Sequence, residues 1–456
     1  MMFKKVEIWL LYLVIFLFLP FSAVFGFLVR QELIGFSKFG KISESALFIS
    51  EIPVYLKRIL TYKNPLLVND RFPHLDNFNG NPDVNETYLL LSKYDGDKRQ
   101  GLVELVDLTN FEVLHSWNPD INKFNSLVKK KDEFEKLTIN ANDSRARLIH
   151  PKLTEDGGLL FHLSGSPLIK IDKCSNLIFQ NTHDQFHHAI ETDLEGNIFV
   201  SSYKYPQALP VNKVGRDTKD NGGYLDDAIV KLSPSGKILF EKSVSQIFID
   251  NDLGYLLFST GTKDFEKDPI HLNDIQPVNF DGEFWEKGDV FLSLRNQSMI
   301  VLYRPETNQI IWKWVGPFSH QHDVDILDDY RISIFNNNAI NVIGDKNILE
   351  GNNEVIIYNF KTNEHISYLK NSLIEKNVQT RTQGLSQILP NGDLFIEETN
   401  YARSLYFNAD GSLRWTFLNR AKNQKTYNVG WSRILHEVND IMNVKNFLKL
   451  KNNCDY

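Results

Sequence analysis

Cysteine is nearly absent from this sequence: Cys174 and Cys454 are the only two among 456 residues. Two thiols can form at most one bridge, so no framework of disulfides holds the fold, and the count does not fix the redox compartment. An excess of basic charge is also lacking, because 50 Lys and Arg stand against 57 Asp and Glu and give a net charge of -7. With both signs interspersed, the chain offers no basic face, and nucleic acid is a poor candidate for a partner.

Long apolar runs are lacking too, with one exception near the N-terminus. Residues 8–29 carry no charge and consist mainly of Leu, Ile, Phe and Val, and Lys4 and Lys5 precede them. About 20 apolar residues suffice to cross a bilayer, and the lysines favour a cytoplasmic N-terminus. We therefore expect a cytoplasmic segment 1–7, a single transmembrane anchor, and all that follows on the periplasmic or extracytoplasmic side. A cleaved signal peptide, with Pro20 ending its apolar region, is the alternative, and it also exports the protein.

The chain after the anchor is rich in aromatic and β-branched residues, and Gly, Asn and Asp recur at short intervals. This composition is typical of many short strands joined by turns. One pattern repeats about six times: a strand, a turn, a second strand and an outer hairpin. The outer hairpins are predicted at 229–240, 299–312, 355–368 and 405–415, and insertions at 203–226 and 243–267 make the units unequal.

Four strands per unit, repeated in this way, predict an all-β fold, a six-bladed β-propeller. We expect it over residues 83–436, after a connector at 30–82 and before a C-terminal tail at 437–456. In a propeller the first strand of each blade lines the central channel, so equivalent positions of different blades converge around one axis.

Aligned on the repeats, the first strands begin with large polar residues: His188, Asn273, His322 and Gln383. His271 and His320 each lie two residues before one of these positions, and a spacing of two puts both members of a pair on one face of a strand. The second strands add Arg295 and Asn337 at aligned positions. We therefore expect histidines, asparagines and one arginine to meet in a single funnel. A lone strand histidine is more often a hydrogen-bonded structural residue, and this reading suits His115, His162, His365 and His436.

These segments resemble the bacterial arylsulfotransferases that use a six-bladed propeller and a histidine nucleophile. The resemblance covers roughly residues 145–415. It depends on five stretches in the family's order: His187-His188, His271-Leu272-Asn273, Ser293 to Gln297, Gln321-His322-Asp323, and the Leu389-Pro390-Asn391-Gly392-Asp393 turn. The chain differs from the well-known enzymes of that family in lacking room for a sizeable N-terminal β-domain before the propeller.

The resemblance implies transfer of a sulfuryl group from an aryl sulfate ester to a phenolic or other hydroxyl acceptor through a sulfohistidine, without PAPS and without a metal or organic cofactor. It implies that His322 is the nucleophile. The sulfuryl oxygens would be held by His271, Asn273 and Arg295. His188 would lie near the acceptor hydroxyl as a further catalytic group. The remaining candidates would contact substrate: His187, His320, Asn337 and Gln383.

General chemistry supports these roles. The transition state of sulfuryl transfer spreads negative charge over three equatorial oxygens, and cationic groups and hydrogen-bond donors are needed to stabilise that charge. Two other readings stay open. The first is a metal-dependent hydrolase or lyase with His188, His271 and the His320-x-His322 pair as ligands. A nearby Arg295 disfavours it, since a cation beside a metal is unfavourable. The second is a propeller that binds a partner and has no activity.

Overall fold

The structure is a computed structural model, and it describes residues 7–33, 39–60, 64–129, 134, 137–209, 224–258, 268–342, 345–349 and 351–450. Lys4, Lys5 and Cys454 lie outside the described residues. So do segments 210–223 and 259–267 of the two predicted insertions.

Two long helices form a compact unit at the N-terminus. Helix α1 (Ile8–Leu33) has no buried residue. It is the one helix of the described residues that is long and apolar enough to cross a membrane, a test that a signal sequence also passes. Helix α2 (Lys41–Leu60) lies within the stretch predicted as a connector. The Ser43 hydroxyl donates to Glu32 Oε2 at 2.8 Å and links the two helices.

The second unit, from Pro65 onwards, consists mainly of short strands. In chain order these are β1 (Asn77–Gly80), β2 (Tyr88–Asp95), β3 (Gln100–Asp107), β4 (Glu112–Trp117), β5 (Ile149–Leu153), β6 (Leu159–His162), β7 (Ser166–Ile171), β8 (Leu177–Thr192), β9 (Ile198–Tyr203), β10 (Asp227–Leu232), β11 (Ile238–Ser243), β12 (Leu272–Pro277), β13 (Val290–Leu294), β14 (Met299–Arg304), β15 (Gln309–Val315), β16 (Val324–Ile326), β17 (Arg331–Asn336), β18 (Ala339–Val342), β19 (Asp345–Leu349), β20 (Glu354–Asn359), β21 (Glu364–Tyr368), β22 (Leu385–Ile388), β23 (Leu394–Glu398), β24 (Arg403–Phe407), β25 (Leu413–Leu418) and β26 (Arg433–Leu435). The further helices are α3 (Ile121–Ser126), α4 (Leu137–Asn140), α5 (Val244–Asp250), α6 (Tyr255–Phe258), α7 (Lys370–Glu375) and α8 (Val438–Lys449).

The strands form antiparallel meanders in a propeller-like arrangement, which confirms the predicted all-β propeller behind an apolar N-terminal helix. Three sheets have four strands each, in the orders β12-β13-β14-β15, β16-β17-β20-β21 and β26-β2-β3-β4. A fourth sheet, β1-β25-β24-β23-β22, has five. The predicted outer hairpins are present as the pairs β10–β11, β14–β15, β20–β21 and β24–β25.

The predicted count of six separate four-stranded blades is not reproduced. Within the described residues, β5 to β11 form one seven-stranded sheet. The reason is the length of β8, a strand of 16 residues. Its first part pairs with β7 and its second part pairs with β9, so two neighbouring repeats share it.

One strand of each sequence repeat lies on the inside, and we call these the inner strands: β26, β5, the second half of β8, β12, β16 and β22. The exposed amides of such edge strands need acceptors. Side chains of one inner strand supply them to the next through three bonds of 3.0, 3.0 and 3.1 Å: Val324 N–H to Asp274 Oδ2, Ser386 N–H to Asp323 Oδ2 and Ile434 N–H to Gln387 Oε1.

Apolar clusters fill the spaces between neighbouring sheets. One of them combines Phe291 of β13, Val324 of β16 and Tyr358 of β20. Burying each such side chain contributes about 1.5–3 kcal/mol, so the contacts between sheets hold the ring of inner strands in place.

Candidate active site

Each inner strand is preceded or begun by one residue with a left-handed backbone. The residues and their φ angles are His150 (45°), His188 (60°), His271 (56°), His320 (56°), Gln383 (64°) and Trp431 (63°). This conformation costs a non-glycine residue on the order of 1–3 kcal/mol and is concentrated at functional sites. Register shifts accompany it in β5, β8 and β12. Such bulges re-aim side chains, so a repeated local distortion turns one large side chain of each inner strand away from the blade faces.

The histidines so placed lie together. The ring centroid of His188 is 5.0 Å from that of His271 and 6.3 Å from that of His322. Arg295 lies close enough to His320 and His322 for its charge to lower the pKa of both imidazoles. The predicted convergence of histidines and one arginine is therefore present in the fold.

Accessibility divides the predicted site residues into two groups. The half-buried ones, which retain surface towards the channel, are His188, His271, Arg295, His320 and Gln383. The buried ones, between 0% and 1% exposed, are His187, Asn273, His322 and Asn337. The half-buried side chains can contact a substrate directly, and the buried side chains can position the half-buried ones.

His188 is oriented by a buried chain of groups. Its Nδ1 lies 2.6 Å from Nδ1 of His187, and His187 Nε2 lies 3.2 Å from Asp227 Oδ1. Both of these atoms are buried, and neither makes a hydrogen bond. The ring of His187 is stacked on Tyr203 at 4.1 Å between centroids, which holds it in place beside His188.

His271 is fixed from three sides. Its Nδ1–H donates to Asp268. Its backbone N–H donates to Asp227 Oδ2 at 3.0 Å, so one buried carboxylate positions both His271 and the chain behind His188. Its carbonyl accepts from Arg295 N–H at 3.0 Å, which places the arginine beside it. Burial lowers the pKa of Arg295, and Asp268 opposes this shift. A guanidinium begins so far above neutrality that it stays charged.

His320 holds its proton on Nδ1. This atom lies 2.8 Å from the carbonyl oxygen of Ala339, which can only accept, so the imidazole donates. Ser319 Oγ lies 3.0 Å from the same nitrogen. The tautomer leaves the lone pair on Nε2 of a half-buried ring.

His322 is buried, and both of its ring nitrogens form hydrogen bonds within the protein. Asn337 Nδ2 donates to the carbonyls of Thr380 and Gln383 at 3.0 and 2.7 Å, so its Oδ1 is the atom 2.6 Å from His322 Nδ1. His322 therefore donates from Nδ1. Its Nε2 accepts the backbone N–H of Gln383 at 2.8 Å. The ring supports the left-handed backbone at Gln383, and its lone pair is occupied.

The buried side chain of Asn273 links two neighbouring sheets. Its Nδ2 donates to the carbonyl of Gln321 at 2.8 Å, while its Oδ1 is buried without a hydrogen-bond partner. Asn337 joins two sheets in the same way. Neither amide presents its side chain to the channel.

A metal cluster is not formed by the channel histidines. In the part of the chain that the structure describes, three potential ligand atoms come within 4.8 Å of one another at His183, Asp184 and Glu241 instead. Lys204 Nζ lies 2.7 Å from Glu241 Oε1, so a cation is already present there.

Three residues of this site are not among the sequence predictions: Asp227, Asp268 and Trp431. Trp431 holds the left-handed position of the first unit, whose inner strand β26 comes from the far end of the chain and pairs with β2. Because this inner strand is distant in the sequence from the rest of its unit, the sequence repeat shows no polar residue at the start of the first unit.

The protonation states lead to a pH prediction. Burial lowers the pKa of His188, His320 and His322 below the ordinary value of 6.5, and the charge of Arg295 adds to the effect on the last two. Because a lowered pKa keeps an imidazole neutral to lower pH, a reaction that uses a neutral histidine should retain its kcat/KM as the pH falls through 6.5. The pH profile of kcat/KM measures this. An acidic limb with its midpoint at or above 6.5 would contradict it.

Comparisons with known proteins address the family. Solved structures similar to the chain include a protein of unknown function from Bacteroides caccae (12% identity, TM-score 0.41, covering 73% of this chain and 94% of that one) and TolB from Acinetobacter baumannii (10% identity, TM-score 0.41, 87% and 73%). A streptogramin B lyase is also similar, with 12% identity and a TM-score of 0.35, and the match covers 78% of this chain and 97% of that one. At these scores the likenesses support no conclusion about function. No curated protein matches the chain.

The sequence model of the family described as arylsulfotransferase (ASST) matches residues 150–420. That segment is more than half of the chain and contains the left-handed histidines, Arg295 and Gln383. It confirms the resemblance seen in the sequence. The chain belongs to the arylsulfotransferase family.

Proposed function

We propose that the protein transfers a sulfuryl group from an aryl sulfate ester to a phenolic or other hydroxyl acceptor through a sulfohistidine, without PAPS. The observation that carries the proposal is the meeting of three half-buried channel histidines, His188, His271 and His320, with Arg295. In His271 and His320 the Nδ1 proton is held by an acceptor, Asp268 or the carbonyl of Ala339. Together with one guanidinium, this set can supply a nucleophile, an acid and an oxyanion clamp.

His320 is the nucleophile of this proposal, in place of the His322 that the resemblance suggests. A nucleophile must be able to reach the substrate. The His320 ring is half-buried, whereas the His322 ring is buried and its Nε2 accepts the Gln383 N–H. His322 then acts as a positioning residue for Gln383.

Arg295 and His271 hold the sulfuryl oxygens. The transition state spreads negative charge over three equatorial oxygens, and a planar guanidinium can donate to two of them. With Asp268 holding its Nδ1–H, a doubly protonated His271 can donate from Nε2 to the third oxygen or to the leaving phenolate. These groups are held by backbone bonds, so they need little reorganisation during the reaction.

The proposed transfer proceeds in two half-reactions. In the first, the His320 Nε2–S bond forms, the S–O bond to the aryl group breaks, and the phenolate leaves with a proton from His271 or from solvent. In the second, the acceptor oxygen attacks sulfur, the N–S bond breaks, and the acceptor proton passes to the imidazole of His188. The guanidinium, the imidazoles and solvent supply every donor and proton of this scheme, so neither step uses a metal.

The test is steady-state transfer from p-nitrophenyl sulfate to a series of phenols, with both concentrations varied. A covalent intermediate predicts parallel double-reciprocal lines, the ping-pong pattern. Chelators should leave the rate unchanged. Loss of activity on metal removal would support the hydrolase alternative, and no turnover of any aryl sulfate would support a binding propeller.

We further propose that α1 anchors the protein and that the propeller lies on the periplasmic or extracytoplasmic side. The support is one exposed apolar helix of 26 residues preceded by Lys4 and Lys5. Alkaline phosphatase fused to the C-terminus should be active in intact bacterial cells. Activity only of a reporter that requires the cytoplasm would contradict this topology.

A further inference from the structure

Trp431 lies across the channel next to the histidines. Its ring centroid is 5.6 Å from that of His150, 5.9 Å from that of His188 and 5.9 Å from that of His322. These partners lie at three different inner strands, β5, β8 and β16. The residue is 2% exposed, although its left-handed backbone turns it away from the blade faces. The covered indole therefore lies between three inner strands.

A second layer follows two residues further along β26. Arg433 reaches from β26 to β8, where its NH1 donates to Glu191 Oε1 at 2.9 Å and its NH2 donates to the carbonyl of Ile190 at 2.8 Å. Lys152 of β5 lies 3.7 Å from the other oxygen of Glu191. Three inner strands are therefore tied together by charge directly beyond the indole.

The channel widens again past this layer. A cavity of about 660 Å³ is lined by the distal ends of the inner strands, among them Lys152, Glu191, Asp325, Gln387 and Arg433. A water molecule takes about 30 Å³ of liquid, so the space has room for on the order of twenty. Its polar and charged lining keeps it wet.

We propose that Trp431, backed by the Arg433–Glu191 pair, seals the reaction site from this cavity and thereby decides between transfer and hydrolysis. The inference rests on the proposed function. Water that reaches the sulfated histidine would attack sulfur, break the N–S bond and give hydrogen sulfate with the imidazole restored. An acceptor hydroxyl attacks sulfur and breaks the N–S bond in the same way, and the sulfuryl group ends on the acceptor as a sulfate ester. Exclusion of water from the distal side leaves the acceptor as the main nucleophile.

The experiment compares Trp431→Ala and Trp431→Phe with the full-length wild type. Each protein receives p-nitrophenyl sulfate and a fixed phenol, and free sulfate and sulfated phenol are quantified. The ratio of the two should rise on the order of tenfold in the alanine variant and less in the phenylalanine variant, since the opening is smaller. A loss of folded protein lowers both products together and does not move the ratio.

Trp285→Phe is the matched control, because Trp285 is equally buried but belongs to an apolar cluster between two sheets. Its ratio of free sulfate to sulfated phenol should equal that of the wild type. Unchanged ratios in folded Trp431 variants would overturn the seal while leaving the proposed function intact. Absence of transfer by the wild type would instead overturn the proposed function and the seal with it.

Discussion

Replacing His320 with alanine is expected to abolish sulfuryl transfer while leaving the propeller folded. The variant loses the ring whose Nδ1–H donates to Ala339 and whose Nε2 is to attack sulfur. Without a nucleophile the covalent route is closed. Release of p-nitrophenol from p-nitrophenyl sulfate measures the loss, and circular dichroism checks the fold.

His322→Ala is the informative partner of this variant. His322 supports the Gln383 backbone through a bond of 2.8 Å and is buried, so its loss should slow transfer by disturbing the channel without removing the intermediate. Retention of transfer by His320→Ala together with complete loss in His322→Ala would reverse the assignment and restore His322 as the nucleophile.

Arg295→Ala should lower kcat/KM by about a hundred- to a thousandfold, because removal of one donor from an oxyanion site typically costs about 2.7–4 kcal/mol of transition-state stabilisation. Arg295→Lys keeps the charge but loses the planar fork, so it should recover part of the rate and not all of it.

The control for this pair is Arg331→Ala. Arg331 is a partly exposed arginine that pairs with Asp328 and lines the distal cavity rather than the histidine site. It should react at the wild-type rate. An Arg295→Ala variant as active as that control would exclude the guanidinium from the transition state.

The sequence allowed the propeller to be predicted because turn residues and outer hairpins are local signals that survive unequal insertions. The convergence of His188, His271 and Arg295 could be predicted for the same reason, since equivalent positions of a repeat meet at one axis. The number of separate sheets could not, because whether β8 ends or continues between two repeats depends on its pairing with β7 and β9 rather than on its composition.

Other features depend on contacts that are distant in the chain. His188 contacts His187, whose ring is stacked on Tyr203 and lies 3.2 Å from Asp227, 39 residues from His188 in the numbering. The occupied lone pair of His322 is visible only when the backbone of Gln383 is placed against it. The contacts that distinguish His320 from His322 therefore depend on the fold and cannot be predicted from the spacing of the two residues.

The central claim is a sulfuryl group carried on His320, and the most direct measurement is the position of the label. Enzyme mixed with p-nitrophenyl sulfate alone should release a burst of about one equivalent of p-nitrophenol per site. Quenching in base followed by trypsin should place the sulfuryl group on the peptide from Trp314 to Arg331, which contains both His320 and His322. Fragmentation of this peptide in a mass spectrometer is predicted to assign the group to His320. A label on His322 or on another peptide, or no burst with any aryl sulfate, would contradict the mechanism.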